Sequence, residues 1–299
     1  MSRRRVVTGL VLAVAACNAG SAGSGGEFDG PRALGYVERQ LAFGPRVPNT
    51  AGHRGAGDWL AAELAARADT VIVQAWTHVT ARGDTLALRN FFARFRPEAA
   101  ERVLYLAHWD TRPVADRSAN LAAQRQPVPG ANDGASGVAV LLGIADALKA
   151  RAPAVGVDLL FVDGEDWGDF GDSTEALIGS RHFAANLPPG YQPLYGVLFD
   201  MVGDKDLQLY WEGYSHAYAP EVVQRVWAYA DRLGYGRVFQ PGVRHTLVDD
   251  HVPLQEAGLR VIDVIDFDYP YWHTTEDTFD KVSAASLKIV GEVAIALVR

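Results

Sequence analysis

The chain has 299 residues, of which 48% are hydrophobic and 21% are charged, and these are ordinary proportions for a globular protein. This length is enough to bury a sizeable core within one α/β domain. The formal net charge of −8 argues against nucleic acid as a partner. Cys17 is the only cysteine, so an intramolecular disulfide is excluded and the fold must be stabilised by burial of apolar side chains.

The first 27 residues indicate export. Arginines at positions 3–5 precede an apolar run over residues 6–16, which is too short to span a bilayer as a stable helix. The run ends in Val14-Ala15-Ala16-Cys17, which resembles a bacterial lipobox and implies cleavage before Cys17 and lipidation of its thiol. An ordinary secretory signal is the alternative. Residues 18–26 are rich in Gly, Ser and Ala, as is typical of a flexible tether.

These features predict how the chain is divided and where it resides. We expect a lipoprotein signal peptide over residues 1–16, a flexible tether over residues 17–27 and a single folded domain over residues 28–299. The protein would be an exported bacterial lipoprotein of the cell envelope or periplasm. Its lipid anchor would be its only contact with the membrane.

Hydrophobic periodicity predicts helices that alternate with strands. Helical spacing is clearest over residues 31–42, 51–67, 136–150, 173–186, 220–233 and 284–298. Strand-like runs cover residues 70–76, 86–95, 102–107, 157–162, 195–200, 207–211 and 259–265. Several of these runs are apolar throughout, as expected for strands covered by helices on both faces. The pattern predicts a three-layer α/β/α sandwich around a central, mostly parallel mixed sheet.

Acidic and histidine residues stand at or beyond the ends of several predicted strands. The positions concerned are His108 and Asp110, Asp133, Glu165 and Asp166, Asp200, and His273. In an open α/β sheet the carboxyl ends of parallel strands meet at one crevice, where ligands bind. Carboxylate oxygens and imidazole nitrogens suit zinc. The sequence therefore predicts a zinc-dependent catalytic domain with its site at this edge.

Three of these positions are the candidate zinc ligands. Asp133 lies between Gly130 and Gly134, whose conformational freedom allows close approach of the backbone, although a helix N-cap would also explain an aspartate there. Asp166 follows an apolar strand, and adjacent carboxylates in such a place are costly to bury without a cation or shared protons. His273 lies among tyrosines and a tryptophan, where a packed, hydrogen-bonded histidine is the alternative. A catalytic zinc needs three protein ligands and an open position.

Glu165, beside the ligand candidate Asp166, is assigned to acid/base chemistry. In the segment Asp249-Asp250-His251 one aspartate is expected to face the site, and another residue could cap the short helix that follows. The histidines at positions 53, 78, 182, 216 and 245 show no ligand spacing and are interpreted as surface or packing residues. The sequence contains no nucleophile elbow, P-loop, Rossmann glycine fingerprint or His-Glu-x-x-His helix.

Taken together, these blocks resemble the zinc aminopeptidase superfamily, which also contains the animal-type glutaminyl cyclases. The likeness spans about residues 30–299. Within the superfamily the closer likeness is to bacterial glutaminyl cyclases of the animal type. The segments that carry it are Phe43-Gly44-Pro45-Arg46-Val47-Pro48, Ala107-His108-Trp109-Asp110-Thr111-Arg112-Pro113, Glu212-Gly213-Tyr214-Ser215 and Val248-Asp249-Asp250-His251.

The resemblance implies a role for each site residue. A single zinc would be held by Asp133, Asp166 and His273. Glu165 would shuttle the proton, with Asp200 and Asp249 as its acidic partners. The residues expected to contact the substrate are Trp272 and Trp167. The positions that hold a second zinc in aminopeptidases, His108 and Asp200, are both present, so one zinc is expected and two remain an alternative.

Three functions follow as hypotheses. A glutaminyl cyclase would convert the N-terminal Gln of peptides or proteins to pyroglutamate and release ammonia. A zinc aminopeptidase with one or two metals would instead remove N-terminal residues. A non-catalytic zinc-binding surface lipoprotein is the third, and Glu165 argues against it because a structural metal site needs no extra base.

Overall fold

The computed structural model describes residues 28–168 and 175–299, so Cys17, the signal peptide and the tether lie outside the described residues. The helices are α1 (Gly30–Leu41), α2 (Ala51–Ala65), α3 (Ala135–Ala150), α4 (Ile178–Ala185), α5 (Gly213–Tyr218), α6 (Pro220–Arg232), α7 (His251–Glu256) and α8 (Ala284–Ala296). The strands are β1 (Thr70–Val79), β2 (Thr85–Phe95), β3 (Arg102–His108), β4 (Gly156–Val162), β5 (Tyr195–Asp200), β6 (Leu209–Glu212), β7 (Phe239–His245) and β8 (Val261–Ile265).

Six strands form a mixed sheet in the order β1-β2-β4-β3-β5-β8. The first two strands are antiparallel to their neighbours, whereas β4, β3, β5 and β8 run parallel to one another. Those four parallel strands are buried along their whole length, which explains why their sequences are mostly apolar. The predicted mostly parallel mixed sheet is confirmed.

Alternate side chains of each central strand enter two different cores. Tyr105 of β3 packs in the larger core, which the helices α1, α3 and α8 cover. Its neighbours Leu104 and Leu106 point to the opposite face and pack with Phe183 of α4 and Leu254 of α7. Because successive side chains of a strand point to opposite faces, the sheet has a core and a layer of helices on each face, which gives three layers.

The structure differs from the prediction at four elements. The described part of the helix predicted over residues 173–186 begins only at Ile178, because Leu177 has a left-handed backbone with φ of 57°. The strand predicted over residues 207–211 is β6, which pairs with β7 in a separate two-stranded sheet. Neither β7, which contains Pro241 and Gly242, nor the short helix α5 has an apolar periodicity from which it could be predicted. Within the described residues no helix is both long and apolar enough to cross a bilayer.

Candidate metal centre

The four parallel strands bring their carboxyl ends to one edge of the sheet. His108 ends β3, Asp200 ends β5, and the segment with Glu165 follows β4. A cavity of about 340 Å³ opens at this edge. Its lining includes Asp133, Glu165, Asp200, Asp249, Trp272 and His273. The convergence expected from the parallel topology therefore holds for these side chains.

Asp133, Asp166 and His273 form one cluster of candidate metal donors. His273 Nε2 lies 3.2 Å from Asp166 Oδ1 and 3.9 Å from Asp133 Oδ2. All three side chains are buried, and one donor atom of each lies within 4.8 Å of the others. The Oδ2 atoms of both aspartates are buried and accept no hydrogen bond from any described residue. Buried oxygens left in this state, beside an imidazole nitrogen, fit a divalent cation such as zinc.

His108, Asp133 and Asp200 form a second cluster that shares Asp133 with the first. His108 Nε2 lies 3.2 Å from Asp133 Oδ1 and 3.2 Å from Asp200 Oδ1. His108 and Asp200, the two residues predicted to hold a second metal, therefore lie close enough to Asp133 to bind a metal ion together with it. The donor set by itself is compatible with one cation or with two.

The backbone around Asp133 is fixed by a buried carboxylate. Asp277 accepts the N–H groups of Asn132 at 2.9 Å and of Asp133 at 3.1 Å. Gly134 adopts a φ of 90°, and a Cβ there would lie 2.5 Å from the carbonyl oxygen of Asp110. This close approach needs glycine at position 134, so the residue serves the site and not only the start of α3. Asp133 is thus presented by a turn and does not cap the helix.

Arg46 supports the same turn from behind. Its guanidinium is fully buried and donates to the carbonyl oxygens of Pro129 at 2.8 Å and Gly130 at 2.6 Å. Burial lowers the pKa of Arg46 to about 10, and the charges of Asp277, Asp110 and Asp133 oppose that shift. A buried cation in this place balances the carboxylates around the turn.

Asp110 aligns the segment that follows β4. Its two carboxylate oxygens accept the N–H groups of Glu165 at 3.1 Å and Asp166 at 3.2 Å. The Glu165 side chain lines the cavity, and its Oε2 lies 3.7 Å from His108 Nδ1. Burial, together with the charges of Asp166 and Asp249, raises the pKa of Glu165 well above its usual range. A buried carboxyl with a raised pKa is suited to exchange protons with a substrate.

Arg112 and Asp116 contact two of the candidate metal donors, Asp166 and His273, on the sides that face away from the cluster. Arg112 donates to Asp166 Oδ1 at 3.0 Å and to both oxygens of Asp116, at 3.0 Å and 2.9 Å. Asp116 Oδ1 in turn lies 3.4 Å from His273 Nδ1. Although partial burial opposes it, hydrogen bonds from His273 and Arg112 hold the pKa of Asp116 well below its usual range. A carboxylate on the far nitrogen of a histidine orients the ring toward a metal.

Asp249 brings a third acid to the cavity beside Glu165 and Asp200. Burial and the charges of Asp200 and Asp250 raise the pKa of Asp249 well above its usual range. Burial also raises the pKa of Asp200. The neighbouring Asp250 is fully buried, accepts the hydroxyl of Ser180 and directly precedes α7 without capping it through its side chain. Only Asp249 of this pair therefore faces the site.

The two tryptophans predicted to contact the substrate lie in different places. Trp272 lines the cavity and stacks on His273 with ring centroids 4.0 Å apart. Trp167 is not among the residues that line this cavity. It packs against Leu86, Leu88 and Ile178 instead. The site residues brought together are therefore those of both donor clusters, Glu165, Asp249 and Trp272.

Glu212 joins the last two segments that carried the sequence resemblance. It accepts the N–H groups of Tyr214 at 2.8 Å, Ser215 at 2.6 Å and Leu247 at 3.0 Å. His251 Nε2 lies 3.1 Å from its Oε2. Although burial opposes it, His251, the Ser215 hydroxyl and the Leu247 N–H lower the pKa of Glu212 to about 2. The ionised carboxylate thereby ties the turn before α5 to the segment that positions Asp249.

Three supporting residues were not identified from the sequence, namely Arg46, Arg112 and Asp277, and Asp110 was noted only as an acidic residue beyond a strand. Arg46 and Arg112 stand inside segments noted for their resemblance. Each acts mainly through hydrogen bonds to distant backbone or to another site residue, which no local pattern reveals. His53, interpreted as a packing residue, does pack, with its ring stacked on Trp109 at 4.4 Å and Nε2 at 2.8 Å from Asp163 Oδ1.

Comparison with known proteins places this geometry in a family. The model of peptidase family M28 matches residues 90–298, and the chain belongs to this family. The crystal structure of Porphyromonas gingivalis glutaminyl cyclase is 40% identical, with a TM-score of 0.88, over 91% of this chain and 98% of that one. The structure of a Zn-dependent exopeptidase from Parabacteroides distasonis is 36% identical, with a TM-score of 0.88, again over 91% and 98%.

Curated relatives with similar sequences also include a glutaminyl cyclase and an aminopeptidase. Glutaminyl-peptide cyclotransferase of Bos taurus is 25% identical in an alignment 229 residues long, gaps included, that covers 63% of this chain and 57% of the bovine protein. The chain spans about half the length of the curated relatives it matches. The resemblance drawn from the sequence is confirmed, and the chain is an M28-family enzyme whose relatives include both glutaminyl cyclases and exopeptidases.

Proposed function

We propose that the protein is a zinc-dependent glutaminyl cyclase, which converts the N-terminal Gln of peptides or proteins to pyroglutamate with release of ammonia. The observation that supports this most is Asp249, a buried third acid that lines the cavity together with Glu165 and Asp200. A peptidase that only activates water has no obvious use for it. The likeness to the glutaminyl cyclase of P. gingivalis supports the same reaction.

The metal would be held by Asp133, Asp166 and His273, whose buried oxygens and ring nitrogen provide a fitting donor set. When bound, zinc would supply Lewis acidity toward the carboxamide oxygen of the substrate. Asp116 and Arg112 keep the His273 ring and the Asp166 carboxylate in place from outside.

The reaction is intramolecular. The α-amine nitrogen of the substrate bonds to the carbon of its own side-chain carboxamide, and the bond from that carbon to the amide nitrogen breaks. Glu165 takes the proton that the amine loses and delivers a proton to the departing ammonia. Holding the amine and the carboxamide together exploits proximity, which is worth up to roughly 7–11 kcal/mol in well-oriented systems.

Asp200 and Asp249 would share protons with Glu165. All three carboxyl groups are buried, and burial raises the pKa of each. Carboxyl groups crowded in this way hold fewer negative charges than their number suggests, so that one can accept a proton while another retains one. Trp272, stacked on His273, would form the wall against which the glutamine side chain lies.

An aminopeptidase is the second candidate, and one observation favours it. His108, Asp133 and Asp200 form an intact second donor cluster, as a two-metal site would need. In that case Glu165 would deprotonate water instead of the substrate amine. The likeness to the exopeptidase of P. distasonis supports this alternative.

The experiment that separates the two is a parallel incubation of the zinc-loaded protein, as residues 28–299, with Gln-peptides and with Leu-arylamides. Ammonia release from the Gln-peptides without arylamide cleavage supports the cyclase. Arylamide cleavage without ammonia release supports the aminopeptidase.

We further propose that the enzyme acts from the cell envelope, tethered through lipidated Cys17. The lipobox-like residues before Cys17 support this, and the membrane would be contacted through the lipid alone. Labelling cells with a clickable fatty acid tests the proposal. Incorporation into the wild-type protein that is lost in Cys17→Ser supports it, and unchanged incorporation excludes Cys17 as the acceptor.

A further inference from the structure

Arg117 lies at the mouth of the cavity, where its exposed side chain forms part of the wall. Its guanidinium carbon is 5.1 Å from the ring centroid of Trp272. Its backbone N–H donates to the carbonyl oxygen of His273 at 3.1 Å. The residue is therefore fixed at its backbone to the segment that carries a candidate metal ligand, and its side chain is oriented by an aromatic ring.

The two arginines that line the cavity differ in what they bind. Arg112 is engaged with Asp116 and Asp166 in ion pairs of 2.9 Å and 3.0 Å. The guanidinium of Arg117 makes no hydrogen bond or ion pair within residues 28–168 and 175–299, and its contact there is with the face of Trp272. An arginine stacked on a ring keeps its N–H donors directed outward in a planar fork.

Charge is distributed unevenly along the cavity. Its floor carries the buried acids Glu165, Asp200 and Asp249, whereas its exposed wall carries the guanidinium of Arg117 beside the carboxylate of Asp116, which is paired with Arg112. A peptide that enters by its N-terminus places its α-amino group at the acidic floor. The residues that follow then leave the cavity toward the mouth.

Ring contacts indicate how far along the peptide this cation acts. The His273 ring is 4.0 Å from that of Trp272, and the Trp272 ring is 5.1 Å from the Arg117 guanidinium. An extended peptide advances about 3.3 Å per residue. If the first residue reacts beside His273 with its side chain against Trp272, the second or third residue of the peptide lies beside Arg117.

We propose that Arg117, stacked on Trp272, forms a subsite for a carboxylate in the two residues that follow the N-terminal glutamine. The enzyme would then prefer peptides with Glu or Asp in those positions. The guanidinium fork matches a carboxylate in shape as well as in charge. The proposal rests on the proposed cyclase function, because that reaction sets which end of the peptide enters first.

The test begins with peptides that differ at one position and are amidated at the C-terminus. Gln-Glu-Ala-Ala-amide is compared with its neutral isostere Gln-Gln-Ala-Ala-amide and with Gln-Lys-Ala-Ala-amide, and Gln-Ala-Glu-Ala-amide examines the third position. We expect kcat/KM for the better glutamate peptide to exceed that of the isostere by roughly twofold to fivefold, in the range of an exposed ion pair. The lysine peptide should be the poorest. Gln-Ala with a free C-terminus, compared with Gln-Ala-amide, distinguishes a side-chain carboxylate from a terminal one.

Variants at position 117 assign the preference to the guanidinium. Arg117→Ala should bring the ratio between the glutamate and glutamine peptides to about one, and Arg117→Lys should retain part of it. Arg117→Glu should reverse the order, so that the lysine peptide becomes the best. Arg232→Ala is the matched control, because Arg232 is also exposed and stacks on Tyr229 at 3.9 Å, on helix α6. It should keep the wild-type ratio.

Equilibrium binding makes the result independent of turnover. The Glu165→Gln variant is titrated with the same peptides, with and without Arg117→Ala. Tighter binding of the glutamate peptide that is lost with Arg117→Ala supports the subsite. Equal affinities and equal rates for the glutamate and glutamine peptides overturn it. Absence of ammonia from every peptide would refute the cyclase proposal, and the binding ratio would still decide on Arg117.

Discussion

Asp110, two residues beyond the end of β3, accepts the backbone N–H of Glu165 at 3.1 Å. Its second oxygen accepts the N–H of Asp166 at 3.2 Å. One carboxylate therefore aligns both the candidate proton shuttle and a candidate metal ligand. The register of β3 beside β4 brings these segments together, so the position of the site depends on the central sheet.

Loss of Asp110 should reduce metal affinity and turnover together. Asp110→Ala leaves the two N–H groups without their acceptor, and we expect zinc affinity to fall by about 10-fold to 100-fold, as for other residues that support metal ligands. Chelator competition measures the affinity, and circular dichroism checks the fold. Asp231→Ala, at an exposed aspartate of α6, is the control and should bind zinc like the wild type. Wild-type zinc affinity in Asp110→Ala would contradict the role given to these hydrogen bonds.

Glu165→Gln should keep the metal and lose the reaction. The substitution removes the group that exchanges protons but leaves Asp133, Asp166 and His273 unchanged, so a loss of about 10²-fold to 10⁴-fold in kcat is expected with zinc retained. Elemental analysis and steady-state rates provide the two measurements. Glu256→Gln, at an exposed glutamate of α7, serves as the control. A variant with more than about a tenth of the wild-type rate would show that Glu165 is not the shuttle.

Asp266 gives a pH dependence of stability that does not involve the metal donors. Burial, with smaller contributions from Asp204 and Asp268, raises the pKa of Asp266 from its ordinary value of 3.8 to about 7. Between these values the folded chain holds a proton that the unfolded chain has released. The contribution of this group to the free energy of unfolding is therefore largest below the lower value and falls as the pH rises toward the higher one.

Asp266→Asn should remove the decrease in the free energy of unfolding that the titration of Asp266 causes at high pH. Its side-chain oxygen can still accept the N–H of Gln208, which Asp266 accepts at 2.9 Å. We expect the variant to gain stability over the wild type at about pH 8, on the order of a few kcal/mol, and little at about pH 4. Urea denaturation at both pH values measures the difference, with Asp206→Asn, at an exposed aspartate, as the control. A variant that is less stable than the wild type at the higher pH would refute the assignment.

Metal stoichiometry should be about one zinc per chain. If Asp200 shares protons with Glu165 and Asp249, proton sharing competes with metal ligation at the second cluster. Elemental analysis after dialysis against micromolar zinc measures the number. A value near two that falls to one in both His108→Ala and Asp200→Ala would favour the aminopeptidase. An unaltered value near one in both variants supports the single site.

The sequence predicted the central sheet because its parallel strands are buried on both faces and are therefore mostly apolar, as in the runs over residues 103–107 of β3 and 159–162 of β4. It also predicted which polar residues would meet, since parallel strands deliver their carboxyl ends to one edge. The first cluster, Asp133, Asp166 and His273, was named from the residues themselves, whereas His108 and Asp200 of the second were named through the family resemblance.

What the sequence could not provide are contacts between segments far apart in the chain. Arg46 reaches the carbonyl oxygens of Pro129 and Gly130, and Asp277 accepts the N–H of Asp133. Such bonds leave no periodicity behind, because they are made by single side chains to the backbone. Trp167 was expected to contact the substrate, and in the structure it packs near Leu86 and is not among the residues that line the cavity.

The most direct measurement follows a Gln-peptide whose side-chain amide nitrogen is isotopically labelled. Mass spectrometry is applied to the peptide, and the released ammonia is analysed for the label. We expect labelled ammonia and a product that has lost the mass of one ammonia molecule with every peptide bond intact. A peptide shortened by its N-terminal residue, with the label retained in free glutamine, would contradict the cyclase and establish an aminopeptidase.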